Sequence, residues 1–190
     1  MLESLLTEIR QCTVCEPHLP LGANPVIRAH PAVKILIIGQ APGTKVHQTS
    51  IPWNDASGER LRQWLGLDRE AFYCEENIAI MPMGLCYPGK GRSGDLPPRK
   101  ECAPLWHAKV LEQLPNRQLT LLIGQYAQHY YLSDKPSTLT ETVQQWQRWA
   151  PSVLPLPHPS PRNTLWLKNH PWFEQDIVPY LRQRVKQVLT

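Results

Sequence analysis

Four of the five cysteines fall into two pairs: Cys12 and Cys15 form a C-x2-C near the N-terminus, and Cys86 and Cys102 stand with fifteen residues between them. Four thiolates from two distant segments can close a tetrahedral site for structural zinc or hold a [4Fe–4S] cluster. The same spacing also suits four unrelated reduced thiols packed as small apolar groups. Cys74 is left over as an ordinary thiol. Three further segments carry groups suited to chemistry. Gly39–Gly43 (GQAPG) has two glycines, which let a backbone come close to a ligand or simply turn after a strand. Asp55, in IPWNDASG, is a carboxylate that a following helix would stabilise as an anion, whether for chemistry or only to start that helix. His158 opens the turn-rich segment HPSPRN, where it can face a ligand or pack at a strand end.

These residues need a frame, and the hydropathy pattern predicts one. Leu2, Leu5, Leu6 and Ile9 make one stripe of a helix over residues 2–11. VKILIIGQ is a short apolar run ending in glycine and then a polar residue, as in a strand buried on both faces. Asn77–Met83, Leu119–Gly124 and VLPLP predict three more strands. Helices are expected over 57–65, with Ser57 as N-cap and Gly66 as stop, and over Arg99–Leu114, 125–132 and Thr140–Trp149. A last amphipathic helix runs from Pro171 to Val188, with Ile177, Leu181, Val185 and Val188 on one side. Alternating strands and helices imply an α/β fold, a three-layer sandwich with a mostly parallel four-stranded central sheet flanked by helices. One domain is expected over residues 1–190. In such sheets ligands bind beyond the carboxyl ends of the strands. GQAPG, MGLCYPG and HPSPRN follow the first, second and fourth strands, so they converge on one edge.

Composition narrows the class. With 42% hydrophobic and 19% charged residues, the chain is globular and not disordered. Twenty prolines stiffen the connections and keep the elements short. A net charge of +4 permits nucleic-acid binding without requiring it. The sequence lacks an apolar run long enough to span a membrane, and its first residues do not follow a signal-peptide pattern. A cytoplasmic location, where thiols stay reduced, is expected.

The order of GQAPG, C-x2-C…C-x15-C and HPSP resembles the uracil-DNA glycosylase superfamily, closest to its iron–sulfur families 4 and 5. The resemblance runs from Cys12 to the loop at His158. It implies a [4Fe–4S] cluster on Cys12, Cys15, Cys86 and Cys102, with zinc as the alternative. It implies His158 as a donor to the departing base, and Asp55 as the carboxylate that steadies the sugar cation or places a water. Gly39, Gln40, Ala41, Pro42 and Gly43 would line the base pocket, Trp53 would stack on the base, and Asn54 would be a polar group beside it. Ser160, Pro161 and Arg162 would press into DNA at the flipped nucleotide. The partner implied is DNA with a damaged base, single- or double-stranded, acted on by a monomer. In the loop after Cys86, Lys90, Arg92 and Arg99 could meet phosphates.

One position departs from that pattern. Families 4 and 5 carry an Asn four residues before the third cluster cysteine, where it reads the edge of uracil; this chain has Pro82 there. Proline offers neither a side-chain amide nor a backbone donor. The resemblance therefore leaves two functions open. One is excision of uracil or a related deaminated base, read by other groups. The other is a catalytically silent nucleic-acid-binding protein on the same fold.

Overall fold

A computed structural model describes residues 1–190. Four strands form one parallel sheet: β1 (Ile35–Ile38), β2 (Ile78–Ile80), β5 (Leu119–Ile123) and β6 (Val153–Leu156), in the order β2-β1-β5-β6. A separate antiparallel hairpin, β3 (Lys90–Gly91) and β4 (Gly94–Asp95), stands in the long loop after β2. The helices in chain order are α1 (Leu2–Arg10), α2 (Thr44–Thr49), α3 (Ala56–Leu65), α4 (Arg69–Phe72), α5 (Cys102–Leu111), α6 (Gln125–Tyr131), α7 (Leu139–Gln144), α8 (Thr164–Asn169) and α9 (Val178–Leu189).

Strand alternation divides the core in two. Ile35 and Ile37 of β1 face one layer with Ile78, Ile80, Leu119, Leu121 and Leu154. Leu36 and Ile38 face the opposite layer. The first layer is closed by α3 and α9, whose Leu61, Trp64, Leu181 and Val185 are buried. The second is closed by α1 and α5, through Leu6, Ile9, Trp106 and Val110. Each strand is apolar on both sides because each side meets helices. The three-layer α/β sandwich expected from the sequence is present.

Several boundaries differ from expectation. Strand β2 is three residues long, not seven, because Pro82 cannot donate to the ladder. Helix α3 is capped by Asp55, not Ser57: the Asp55 carboxylate accepts from the Gly58 N–H at 2.8 Å. Gly66 ends that helix in the left-handed region, φ +70°. Helix α5 starts at Cys102, not Arg99, after a turn at Lys100 and Glu101. The expected helix over Thr140–Trp149 is split into α7 and a short 3-10 turn, Trp146–Arg148. The C-terminal helix is preceded by a π-turn, Phe173–Ile177. Pro155 is accommodated because β6 is an edge strand, paired only with β5.

The chain leaves β1 toward β2 on one side, while β5 and β6 lie on the other. The switch point falls between β1 and β5, where loops diverge and leave a crevice beyond the strand ends. Gly39 follows β1 and His158 lies two residues beyond β6.

Candidate active site

A cavity of about 350 Å³ opens at this crevice. Its walls include all of Gly39–Gly43, Trp53, Asp55, His158, Ser160 and Arg162. Thus the Gly39–Gly43, Asp55 and His158 segments meet, whereas no residue of MGLCYPG, which strand order placed at the same edge, is among the walls. Asn54 and Pro161 are not among the walls. The Asn54 side-chain Oδ1 accepts from Arg69 Nη2 at 3.3 Å, and Pro161 is exposed.

His158 is fixed by its own loop. The Ser160 N–H donates to its Nδ1 at 3.1 Å, and Asn163 Nδ2 donates to its carbonyl oxygen at 2.7 Å. With Nδ1 serving as acceptor, the neutral ring carries its proton on Nε2. Burial pushes the imidazole pKa down to about 4, against the opposing pull of the nearby Asp55 carboxylate. At neutral pH the side chain is therefore an uncharged donor. Asp55 caps α3 through Oδ1 and also lines the cavity.

Trp53 is held in an unusual posture. Its φ is +60°, in the left-handed region that a bulky residue rarely adopts. The ring lies against Gly39, where a Cβ would come within 2.8 Å of it, and is tilted 34° to the His158 ring with centroids 5.6 Å apart. The backbone is anchored from behind. Arg62 Nη1 donates to the Trp53 carbonyl oxygen at 3.1 Å, and the Tyr73 hydroxyl donates to that of Pro52 at 2.7 Å. Arg62 is 4% exposed and has no carboxylate partner; its guanidinium lies over the Phe72 and Tyr73 rings.

The far wall was not foreseen as part of the pocket. Lys90, Ser93 and Asp95 of the hairpin line the cavity, with Asn163. Arg162 donates to the Ser93 carbonyl oxygen and so ties the hairpin to the His158 loop. Burial raises the Asp95 pKa, opposed by Arg162 and Lys90. The available signal was the glycine spacing, with Gly91 and Gly94 flanking a two-residue turn. Pro82 also lines the cavity. Its carbonyl oxygen accepts from His107 Nε2 at 2.9 Å, and the Tyr131 hydroxyl donates to His107 Nδ1. His107 is buried, which pushes its pKa down to about 4.

Cys12, Cys15, Cys86 and Cys102 surround one small apolar void, walled by Leu19, Leu85 and Trp106 among others. No group of three or more Cys, His, Asp or Glu side chains is gathered so that it could hold a metal ion. Burial, and for Cys15 and Cys86 the neighbouring thiols, push both of these up to about 11. Cys15 Sγ donates to Glu101, which is itself paired with Arg99 at 2.7 Å. The donors around the void are sulfurs alone, a set suited to soft, thiophilic metals.

The profile of the Uracil DNA glycosylase superfamily matches residues 28–182. The chain belongs to the uracil DNA glycosylase superfamily. A Type-4 uracil-DNA glycosylase of Thermotoga maritima is 22% identical over 162 residues, covering 84% of this chain and 82% of the relative. Residues 28–182 hold every residue of the cavity wall except Val26, and Cys86 and Cys102 with them. No helix of this superfamily member is long and apolar enough to cross a membrane.

Proposed function

We propose that this protein is a DNA glycosylase that hydrolyses the N-glycosidic bond of a deaminated base, uracil or a related one. One observation carries the reading: His158, Asp55 and the Gly39–Gly43 loop wall a single cavity of about 350 Å³ beyond the strand ends. A base extruded from DNA would enter it and lie against the Trp53 ring. As the glycosidic bond lengthens, the sugar gains cationic character and the base gains negative charge. The His158 Nε2–H donates to a carbonyl oxygen of the departing base, and it does so without carrying charge itself. The Asp55 oxygen not used in capping steadies the cation or orients water. Water supplies hydroxide to the sugar C1′ and a proton to the base, leaving an abasic site. Ser160, Pro161 and Arg162 meet the DNA backbone at the flipped nucleotide, single- or double-stranded.

Cys12, Cys15, Cys86 and Cys102 would hold a [4Fe–4S] cluster, with zinc as the alternative. Four sulfur donors around one apolar void support this assignment. When bound, the group would tie the segment after α1 to the loop after β2, a structural contribution only. The reading takes residues 1–190 as one domain, acting as a cytoplasmic monomer.

The test is incubation with oligonucleotides bearing uracil, hypoxanthine or xanthine, followed by alkaline cleavage of abasic sites. Cleavage with the wild-type protein and its loss in His158→Ala is the expected outcome. The Pro82 wall favours a second reading, a silent DNA-binding protein. Binding with no base released from any substrate would establish that reading instead. A brown, iron-containing preparation is expected; a colourless one containing zinc would replace the cluster assignment.

A further inference from the structure

The cavity wall at the end of β2 has no polar group left to read a base. Pro82 has no N–H, and its carbonyl oxygen is taken by His107. The N–H groups of Met81, Met83 and Gly84 donate to the carbonyl oxygens of Ile37, Gly39 and Gln40. That wall supplies shape alone. The hairpin wall differs. Lys90 and Asp95 are directly paired across β3 and β4, and both line the cavity with His158. Neither belongs to any of the three ion pairs of the protein. An acceptor-only carboxylate therefore stands beside a donor-only ammonium at the mouth of the pocket.

We propose that the Lys90–Asp95 pair reads the pairing edge of the flipped base and selects lactam bases over amino bases. The inference rests on the base-binding reading given above. Uracil and hypoxanthine present a ring N–H beside a carbonyl oxygen. Asp95 accepts from the N–H, and Lys90 donates to the oxygen. Cytosine and adenine present a bare ring nitrogen beside an amino group. The ring nitrogen would meet the carboxylate lone pairs, and the amino group would meet the ammonium. For a pyrimidine, the His158 donor on the other carbonyl oxygen pins the register, so cytosine cannot slide to a better match. The pair separates uracil from cytosine; it does not separate uracil from thymine, whose edge is the same. A polar group left facing its like once the bound base has displaced water is what makes such discrimination large.

The experiment measures binding to oligonucleotides carrying a non-hydrolysable 2′-fluoro uridine or 2′-fluoro cytidine at one position. Dissociation constants are compared as a ratio, so that any loss of general phosphate attraction cancels. The wild-type ratio should favour the uracil analogue by about tenfold or more. Asp95→Ala should bring the ratio close to one. Lys90→Glu, which turns the donor into an acceptor, should shift it toward cytosine. Both residues are exposed, and unchanged melting curves would verify folding. A wild-type ratio near one, or a ratio unchanged in both variants, would overturn the inference. If the wild-type protein excises uracil while Asp95→Ala leaves the ratio intact, the glycosylase reading stands and this one falls. If no base is ever released but the ratio depends on Asp95 and Lys90, hydrolysis falls and edge reading stands.

Discussion

The carbonyl oxygen of Trp53 occupies the space in which a side chain on Gly58 would begin: a Cβ there would lie 1.7 Å from it. Gly58 is inside α3, where alanine is ordinarily the better residue by about 1 kcal/mol. Here the sign should reverse. Gly58→Ala should destabilise the fold by about 3 kcal/mol, as overpacking does, and displace Trp53 from the pocket. Urea denaturation checks the first effect. Tryptophan fluorescence on adding DNA that carries an uncleavable base checks the second.

His158→Ala should slow base release by about a hundredfold to a thousandfold, the usual effect of losing one donor to a developing anion. Single-turnover rates measure this. Affinity for the non-hydrolysable analogue should change much less, because the donor matters most after the bond has lengthened. Equal losses in binding and rate would mean that His158 holds the ground state and not the transition state.

The same histidine sets a pH expectation. Its pKa is lowered to about 4, as is that of His107, from an ordinary value of about 6.5. A lowered histidine pKa means that the unfolded chain takes up protons first. Above about pH 6.5 neither state is protonated at these positions, and they leave stability unchanged. Between about 6.5 and 4 the unfolded state binds more protons, so stability falls as pH falls through that window. Denaturation midpoints from pH 8 to pH 4 should show this decline, reduced in His107→Phe. Base release should show no limb near pH 6.5 attributable to His158.

Cys86→Ser should bleach the expected brown colour and lower the melting temperature, while Cys74→Ser should do neither. Visible absorption and iron content per chain test both variants. Cys74 lies outside the void that the other four thiols share, which is why the pair of variants is informative.

Much of this arrangement is legible in the sequence, for identifiable reasons. Ile35–Ile38 reads as a doubly buried strand because both of its faces are apolar, and the loops at Gly39 and His158 follow from strand order. Asp55 was correctly near a helix start, but choosing it over Ser57 required the carboxylate geometry. The hairpin wall was not legible, because two-residue strands have no hydropathy period, Lys90 reads as a phosphate contact in a loop and Asp95 looks like ordinary surface charge. His107 was invisible for a related reason. It falls on a helix among apolar residues, and only the fold brings it to the carbonyl of a residue twenty-five positions earlier. Arg62 likewise reads as a surface residue of an amphipathic helix until the Trp53 carbonyl is seen above it.

The link from His107 to the backbone of Pro82 has a consequence for how such a pocket can change. It holds the main chain at residue 82 from outside the cavity, and so does not depend on which side chain stands there. An asparagine put in place of Pro82 would start from a main chain already fixed at the cavity wall. The polar lining of this wall can thus be changed by substitution at one position, while the backbone behind it stays where His107 holds it.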